Sequence, residues 1–252
     1  MRDVVAGGKR LETRSFAGDP DRATIVMLHE GLGSVAMWRD LPQRLAELTR
    51  RSVVAYSRYG YGGSDPLAEK REPGYMHDEA QRVLPELLAA LRIERPVLFG
   101  HSDGASIALI FAGTYPGAVA ALVLEAPHVF VEEITVHSIE AARDAWATTA
   151  LRERLARYHD DVAGAFHGWN DIWLDPRFRD WNIEAVAGRV RVPTLIVQGD
   201  ADEYGTAAQV KRIAAVIPGA ETLLVPQAGH SPHRDAPDAV LARVAAFVEQ
   251  HA

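Results

Sequence analysis

Residues 96–113 read PVLFGHSDGASIALIFAG and combine a short apolar run, a serine between two glycines and a helical pattern. The run at 96–99 is typical of a buried strand, and the helical periodicity begins near Ala105. Gly100 and Gly104 flank Ser102 at the spacing of a sharp strand-to-helix turn that presents the serine hydroxyl. A Cβ at either glycine would collide with the neighbouring strand or helix. The alternative is an ordinary turn in which Ser102 caps the helix.

Similar apolar runs recur on both sides of this stretch, at residues 24–28, 52–56, 121–124, 194–197 and 222–225. Helical patterns lie between them, at residues 41–49, 77–91, 105–115, 207–216 and 236–251. Short continuous apolar runs indicate strands that are buried on both faces of a parallel sheet. The alternation therefore predicts an α/β fold with a mostly parallel central sheet flanked by helices.

The interval from residue 130 to residue 181 breaks this alternation, because helical patterns at 139–150 and 151–165 follow each other with no strand between. We interpret it as a helical cap inserted into a core of residues 1–129 and 182–252. Its aromatic residues either cover a site or pack the insertion onto the core. They include four of the five tryptophans of the chain, Trp146, Trp169, Trp173 and Trp181.

A serine hydroxyl is a poor nucleophile near pH 7 and needs a histidine base, which a carboxylate holds in the right tautomer. Both partners are expected just after strands. Asp202 follows the run at 194–197 and His230 follows the run at 222–225, so the chain order is serine, acid, histidine. Asp200 and Glu125 are the rival acids, Glu125 because it ends the run at 121–124.

Three further histidines lie close to these positions. His233 and His128 have the right chemistry but the wrong offset from the strands, so we expect each to line the pocket or pack. His101, inside the glycine-flanked turn, is expected to pack.

These motifs together resemble the α/β-hydrolase family, and in particular its esterase-like and lactonase-like serine members. The resemblance covers nearly the whole chain. It includes the turn at Ser102, GDAD at residues 199–202, AGH at residues 228–230 and the loop SRYGYGGSD at residues 57–65. It implies that Ser102 is the nucleophile, Asp202 the acid and His230 the base.

The resemblance also implies an oxyanion loop at residues 29–34, HEGLGS, where the family usually has histidine-glycine. The oxyanion donors would be the backbone amides of Gly31 and Asp103. Glu30 replaces the usual glycine. A negative charge facing the oxyanion would oppose catalysis, so we expect Glu30 to line the pocket or to hydrogen-bond within the loop.

The overall composition argues against several other classes of function. The formal net charge is −7 and no Lys/Arg-rich run occurs, so nucleic acid is not expected as a partner. There is no cysteine, no metal-binding histidine spacing and no phosphate-binding loop after the turn, so we expect neither a metal nor a nucleotide cofactor. Residues 1–16 do not resemble a signal peptide, and no run approaches the roughly 20 apolar residues of a membrane span. We expect a cytoplasmic protein.

The predicted reaction is hydrolysis of a carboxylic ester or lactone through an acyl-enzyme. The alternatives are carbon–carbon bond hydrolysis, cofactor-free haloperoxidase chemistry or non-catalytic ligand binding on the same fold. The expected substrate is a small apolar or aromatic ester, and the oligomeric state is left open. The residues expected to contact the substrate are Glu30, His128, Trp169 and Trp173.

Overall fold

The computed structural model of the chain describes residues 2–252. It contains one eight-stranded sheet with the strand order β1-β2-β4-β3-β5-β6-β7-β8. Strands β3 to β8 are parallel, whereas β1 and β2 pair antiparallel at one edge. The predicted mostly parallel sheet is therefore confirmed. Its strands are β1 (Arg2–Ala6), β2 (Lys9–Phe16), β3 (Ile25–Leu28), β4 (Val53–Tyr56), β5 (Val97–His101), β6 (Ala121–Glu125), β7 (Thr194–Gly199) and β8 (Glu221–Val225).

All six strands predicted from apolar runs are present, and their bounds differ from the prediction by at most two residues. The antiparallel hairpin of β1 and β2 was not predicted. Its turn is formed by Gly7 and Gly8, whose φ angles are 60° and 71°. Glycine is favoured at both positions because a two-residue hairpin turn of this kind requires positive φ twice.

Helices flank the sheet and follow the predicted alternation. Two short 3₁₀ turns, Val35–Trp38 and Pro176–Phe178, and a π-helical turn, Glu79–Val83, complete the secondary structure. None of the helices within residues 2–252 has the length and apolarity that a membrane crossing requires. The helices are α1 (Leu41–Thr49), α2 (Tyr75–Asp78), α3 (Leu84–Leu91), α4 (Asp103–Thr114), α5 (Glu133–Thr148), α6 (Leu151–Leu155), α7 (Val162–Trp173), α8 (Glu184–Ala187), α9 (Ala207–Val216), α10 (Pro232–Asp235) and α11 (Pro237–His251).

The sheet is covered on both faces, and its side chains alternate between two apolar clusters. In β3, Ile25 and Met27 join the cluster that packs against α1 and α11, while Val26 and Leu28 join the cluster that packs against α3 and α4. Every residue of β3 is buried, which is why the strand is apolar throughout instead of alternating.

The chain between β6 and β7 is helical, with α5, α6 and α7 in succession. An isolated bridge between Phe130 and Asn182 joins the two ends of this excursion. Two of its aromatic rings, Trp146 and Phe166, stack with centroids 4.2 Å apart. That residues 130–181 form a separate cap stays a prediction.

Candidate active site

Ser102 lies in the turn between β5 and α4, with φ 53° and ψ −117°. This positive φ is strained for a residue with a side chain, and the surrounding contacts hold it. A Cβ on Gly100 would lie 2.4 Å from the carbonyl oxygen of Gly104, and a Cβ on Gly104 would lie 2.0 Å from that of Leu28. The expectation that both positions exclude a side chain is confirmed. The amide of Ser102 donates to the carbonyl oxygen of Glu125 at 2.9 Å, which ties the turn to β6.

His230 follows β8, and its ring contacts the side chains of both Ser102 and Asp202. Its Nε2 lies 2.9 Å from Oγ of Ser102, and its Nδ1 lies 2.9 and 3.0 Å from the two carboxylate oxygens of Asp202. A carboxylate can only accept, so Nδ1 carries the proton and Nε2 presents a lone pair to the serine hydroxyl. Three side chains that are far apart in sequence thus form one hydrogen-bonded line. Such a line can accept the proton of an attacking alcohol.

Asp202 is held by donors on its own loop. Its carboxylate accepts from Nε2 of Gln198 at 2.6 Å and from the amides of Tyr204 and Gly205 at 2.7 and 3.2 Å. Burial raises the pKa of this carboxyl. The hydrogen bond from His230, the positive charge of His230 when it is protonated and the hydrogen bond from the Tyr204 amide outweigh burial and lower the pKa. The acid is therefore ionised at neutral pH and its orientation is determined.

The two rival acids point elsewhere. Asp200 accepts from the amide of Gln227 at 2.6 Å. Glu125 is completely buried and accepts from the amide and Nδ1 of His233, both at 2.7 Å. Neither carboxylate bonds the imidazole of His230.

His101, Glu125 and His233 also form the group within the described residues that has the side chains of a metal site, with ligand atoms within 4.8 Å of one another. Hydrogen bonds already occupy much of this set. His233 donates twice to Glu125, and Nε2 of His101 donates to the carbonyl oxygen of His230 at 2.7 Å. His101 and His233 thus bond their neighbours in addition to packing, which sequence reasoning did not predict.

The loop at residues 29–34 is held by its first peptide groups. The carbonyl oxygen of Glu30 accepts from Nδ1 of His29 at 2.6 Å and from Nη2 of Arg58 at 2.9 Å, while Nε2 of His29 accepts from the amide of Arg58. Burial, together with the charge of Arg58, lowers the pKa of His29 well below its usual value, so this ring is neutral. The N–H of Gly31 belongs to the same trans peptide unit as that carbonyl and points in the opposite direction.

Gly31 itself lies directly beneath a tryptophan. A Cβ added at Gly31 would lie 2.1 Å from Cδ1 of Trp169, so only glycine fits under the indole. The backbone at Gly31 can consequently approach a ligand closely, as an oxyanion donor must.

The side chain of Asp103 belongs to a buried polar cluster that the sequence did not reveal. Its carboxylate accepts from the hydroxyl of Tyr75 at 2.7 Å, from Nε1 of Trp173 at 3.2 Å and from Nη2 of Arg58 at 3.4 Å. Arg58 and Asp103 are each 1% exposed, so the two charges compensate each other in the interior. The amide of Asp103, at the first position of α4, has no intrahelical acceptor and is free to face a ligand.

Glu30 lines the cavity, and its carboxylate pairs with residues outside the loop at 29–34. It accepts from Nη2 of Arg234 at 3.1 Å and lies 3.5 Å from Nδ1 of His101. Burial opposes ionisation, yet His101 and Arg234 together hold the pKa of Glu30 well below its usual value. The negative charge at the usual glycine position is thus compensated by residues outside the loop.

A cavity of about 110 Å³ opens beside Ser102 and His230. Of the residues expected to contact a substrate, all four lie in its wall, and no Lys or Arg occurs among the described residues that line it. Two larger clefts, of about 640 and 450 Å³, lie beside residues 67–72 and include none of the three hydrogen-bonded residues. The wall of the small cavity consists of Glu30, Gly31, Leu32, Ser102, Asp103, His128, Thr135, Ile139, Trp169, Trp173, Tyr204 and His230.

Comparison with known proteins agrees with this architecture. A model of the family described as "Alpha/beta hydrolase family" matches residues 25–243. The human protein "Serine hydrolase BPHL" is 28% identical over 237 residues, which cover 91% of this chain and 80% of that protein. The "2-succinyl-6-hydroxy-2,4-cyclohexadiene-1-carboxylate synthase" of Enterobacter sp. (strain 638) is 26% identical, with 93% of this chain and 95% of that protein covered.

Among solved structures, the enol-lactonase from Burkholderia xenovorans LB400 superposes with a TM-score of 0.77. The alignment covers 98% of this chain and all of that one. The identity is 22%, so this likeness concerns the fold.

Proposed function

The chain belongs to the alpha/beta hydrolase family, and from this premise we propose that it is a serine hydrolase that cleaves carboxylic esters or lactones through an acyl-enzyme on Ser102. The observation that carries the proposal is the hydrogen-bonded line from Asp202 through His230 to Ser102, with 2.9 Å at each junction. The line ends in a cavity, where a carbonyl group can reach the hydroxyl oxygen.

In the proposed first step, Oγ of Ser102 attacks the carbonyl carbon while Nε2 of His230 takes the hydroxyl proton. Asp202 stabilises the imidazolium that forms. The amides of Gly31 and Asp103 donate to the oxyanion. The nearby carboxylates of Glu30 and Asp103 are already paired with Arg234 and Arg58. When the tetrahedral intermediate collapses, the leaving oxygen takes the proton from His230 and becomes the hydroxyl of the product alcohol.

In the second step, His230 removes a proton from water, and the resulting hydroxide attacks the acyl carbon on Ser102. As the bond between the acyl carbon and Oγ of Ser102 breaks, the acid leaves and His230 returns the proton to Oγ. One water is consumed for each ester bond cleaved.

The composition of the cavity wall supports an uncharged substrate. Leu32, Ile139, Trp169 and Trp173 supply apolar surface, which suits an apolar or aromatic group. A carboxylate on the substrate would find no Lys or Arg in the described wall, and its desolvation would be uncompensated. The relative named as a carboxylate synthase therefore does not indicate a carboxylate substrate for this chain.

The test is hydrolysis of a series of p-nitrophenyl acyl esters together with labelling by a fluorophosphonate. We expect turnover and labelling in the wild type, and loss of labelling with a fall in kcat of on the order of 10³-fold or more in Ser102→Ala. Ser15→Ala, on the exposed side of β2, is the matched control and keeps both. A protein that neither hydrolyses any ester nor reacts with the probe would instead be a ligand-binding member of the family.

A further inference from the structure

His128 lies in the cavity wall on a segment whose backbone is held on both sides. Its carbonyl oxygen accepts from Oγ of Ser106 at 2.7 Å, and the next amide, of Val129, donates to Oε1 of Gln209 at 2.8 Å. The residue is 1% exposed. The ring consequently has little freedom to turn.

The protonation of the ring follows from its contacts. Nε2 of His128 lies 3.1 Å from the carbonyl oxygen of Tyr204, and a carbonyl only accepts, so Nε2 carries a proton. Burial, followed by the nearby His230, lowers the pKa of His128, so the ring is neutral at pH 7 and holds one proton. Nδ1 is therefore a hydrogen-bond acceptor. It has no partner among residues 2–252, although it is buried.

Nδ1 lies on the side of the His128 ring that faces away from the loop after Asp202. A Cβ built at Gly205 would be 3.2 Å from Nε2 and 3.8 Å from Cδ2, so that edge of His128 faces the loop after Asp202. Nδ1 lies across the ring from Cδ2. The ring centre is 5.7 Å from that of His230 and 5.5 Å from that of Trp173, both of which line the cavity.

Several other polar groups of the cavity wall cannot donate to a ligand. Oγ1 of Thr135 uses its proton on the same carbonyl oxygen of Tyr204. The carboxylates of Glu30 and Asp103 can only accept. Nε1 of Trp169 and the hydroxyl of Tyr204 also belong to this wall and can donate, so Nδ1 of His128 is distinguished there as a neutral acceptor without a partner in the described chain.

We propose that His128 is a specificity-determining residue whose Nδ1 accepts a hydrogen bond from a hydroxyl group on the acyl part of the substrate. The preferred substrates are esters of short, uncharged hydroxy acids. This inference rests on the proposed serine hydrolase function. The cavity of about 110 Å³ is well below the roughly 300–1,000 Å³ of ordinary ligand pockets, which suits a short acyl group.

The experiment compares the ethyl esters of butanoic, 2-hydroxybutanoic, 3-hydroxybutanoic and 2-aminobutanoic acid, followed with a pH indicator. In the wild type we expect kcat/KM for the better hydroxy ester to exceed that for butanoate by about tenfold or more, because a buried acceptor without a partner penalises the plain chain. The amino ester should show no larger gain, since Asp103 and Glu30 are already paired with Arg58 and Arg234.

Two variants separate recognition from support of the loop. His128→Phe removes Nδ1 and should bring the hydroxy-to-plain ratio to within about twofold of one. Thr135→Val removes the other donor to the Tyr204 carbonyl but keeps Nδ1, so it should retain the wild-type ratio. If His128→Phe does not fold, as thermal unfolding will reveal, His128→Leu carries the same test, because leucine also lacks a hydrogen-bond acceptor.

Three results would overturn the inference while leaving the proposed function intact: equal rates on plain and hydroxy esters, equal loss of the ratio in both variants, or preference for the amino ester. Absence of all ester hydrolysis and of fluorophosphonate labelling in the wild type is a different outcome. It removes the proposed function and this inference together.

Discussion

Nδ1 of His233 lies 2.7 Å from Oε2 of Glu125, and the amide of the same histidine donates to the other oxygen of that carboxylate. Burial opposes ionisation of Glu125, but His233 lowers the pKa of the carboxyl below its usual value. A strand-end carboxylate that resembles a triad acid in sequence is thus bound to a histidine other than His230. The two acids can be separated by experiment.

Asp202→Asn should reduce kcat by on the order of 10⁴-fold, because the amide no longer selects the tautomer of His230 in which Nε2 is free. Glu125→Gln should leave kcat within about tenfold of wild type and instead lower the free energy of unfolding by about 1–3 kcal/mol, since two buried hydrogen bonds are weakened. Steady-state kinetics and urea unfolding of both variants check this. A crippled Glu125→Gln beside an active Asp202→Asn would make Glu125 the acid.

The contact between Gly31 and Trp169 predicts a compensating pair of substitutions. Gly31→Ala places a Cβ about where the indole now lies, so either the tryptophan or the loop must move, and we expect kcat to fall by roughly 10²-fold or more. Adding Trp169→Leu to Gly31→Ala frees that space, and kcat of the double variant should be at least about tenfold higher than that of Gly31→Ala alone. The double-mutant cycle on a p-nitrophenyl ester measures the coupling. Additive effects would mean that the two residues do not interact.

The sheet and the hydrogen-bonded line at Ser102 were predictable because both depend on local patterns. Buried strands are continuous apolar runs, and residues that follow such runs meet at the carboxyl edge of a parallel sheet. Ser102 and Asp202 each follow a run of this kind, and His230 follows the apolar run of the edge strand β8, of which only Val225 is buried. The β1–β2 hairpin escaped prediction because it lies at the edge, where the charged residues Arg10, Glu12 and Arg14 of β2 alternate with buried Leu11 and Thr13. The glycine pair at residues 7 and 8 was the available signal.

The partners of buried charges were not predictable, because they come from segments distant in sequence. Arg58, Tyr75 and Trp173 converge on Asp103 from three separate parts of the chain. Helix bounds in the insertion differed for a local reason. A helix was expected over 151–165, but Asp161 accepts from the amide of Gly164 and starts a new helix at Val162.

Stability should decline as the pH falls below about 6.5, because several histidines are buried in the neutral form. Burial is the first cause that lowers the pKa of His29, His128 and His159. The unfolded chain, with histidine pKa values near 6.5, binds these protons first, so each histidine can remove up to about 1.4 kcal/mol per pH unit below that value. Urea unfolding between pH 5 and 8 measures the slope.

His159 provides the specific test of this slope. Its Nδ1 accepts from the amide of Gly62 at 3.0 Å and its Nε2 donates to the carbonyl oxygen of Leu32, so a second proton would break the first bond. His159→Gln should make the slope between pH 5 and 6.5 shallower, whereas His137→Gln on the exposed side of α5 should not. A slope that is the same in all three proteins contradicts the assignment.

Substitutions of Arg58 and Asp103 lead to different expectations for catalysis and the same expectation for stability. Each charge is buried, so Arg58→Met or Asp103→Asn leaves the other uncompensated and should lower the free energy of unfolding by about 3–5 kcal/mol. For catalysis the expected size of the effect differs, because the oxyanion would form beside the amide of Asp103. Arg58→Met leaves a carboxylate facing the developing negative charge and should lower kcat by roughly tenfold or more.

Asp103→Asn removes that negative charge while keeping the backbone amide, so kcat at a temperature where the variant is folded should not fall by more than about threefold. Unfolding by urea and kcat on a p-nitrophenyl ester, measured on the same preparations, give both quantities. Equal losses of kcat in the two variants would show that the carboxylate serves catalysis directly or that the damage is only structural. A selective loss in Arg58→Met means that the buried arginine supports the reaction, either by neutralising the carboxylate next to the nucleophile or by holding the carbonyl of Glu30 in the loop at residues 29–34.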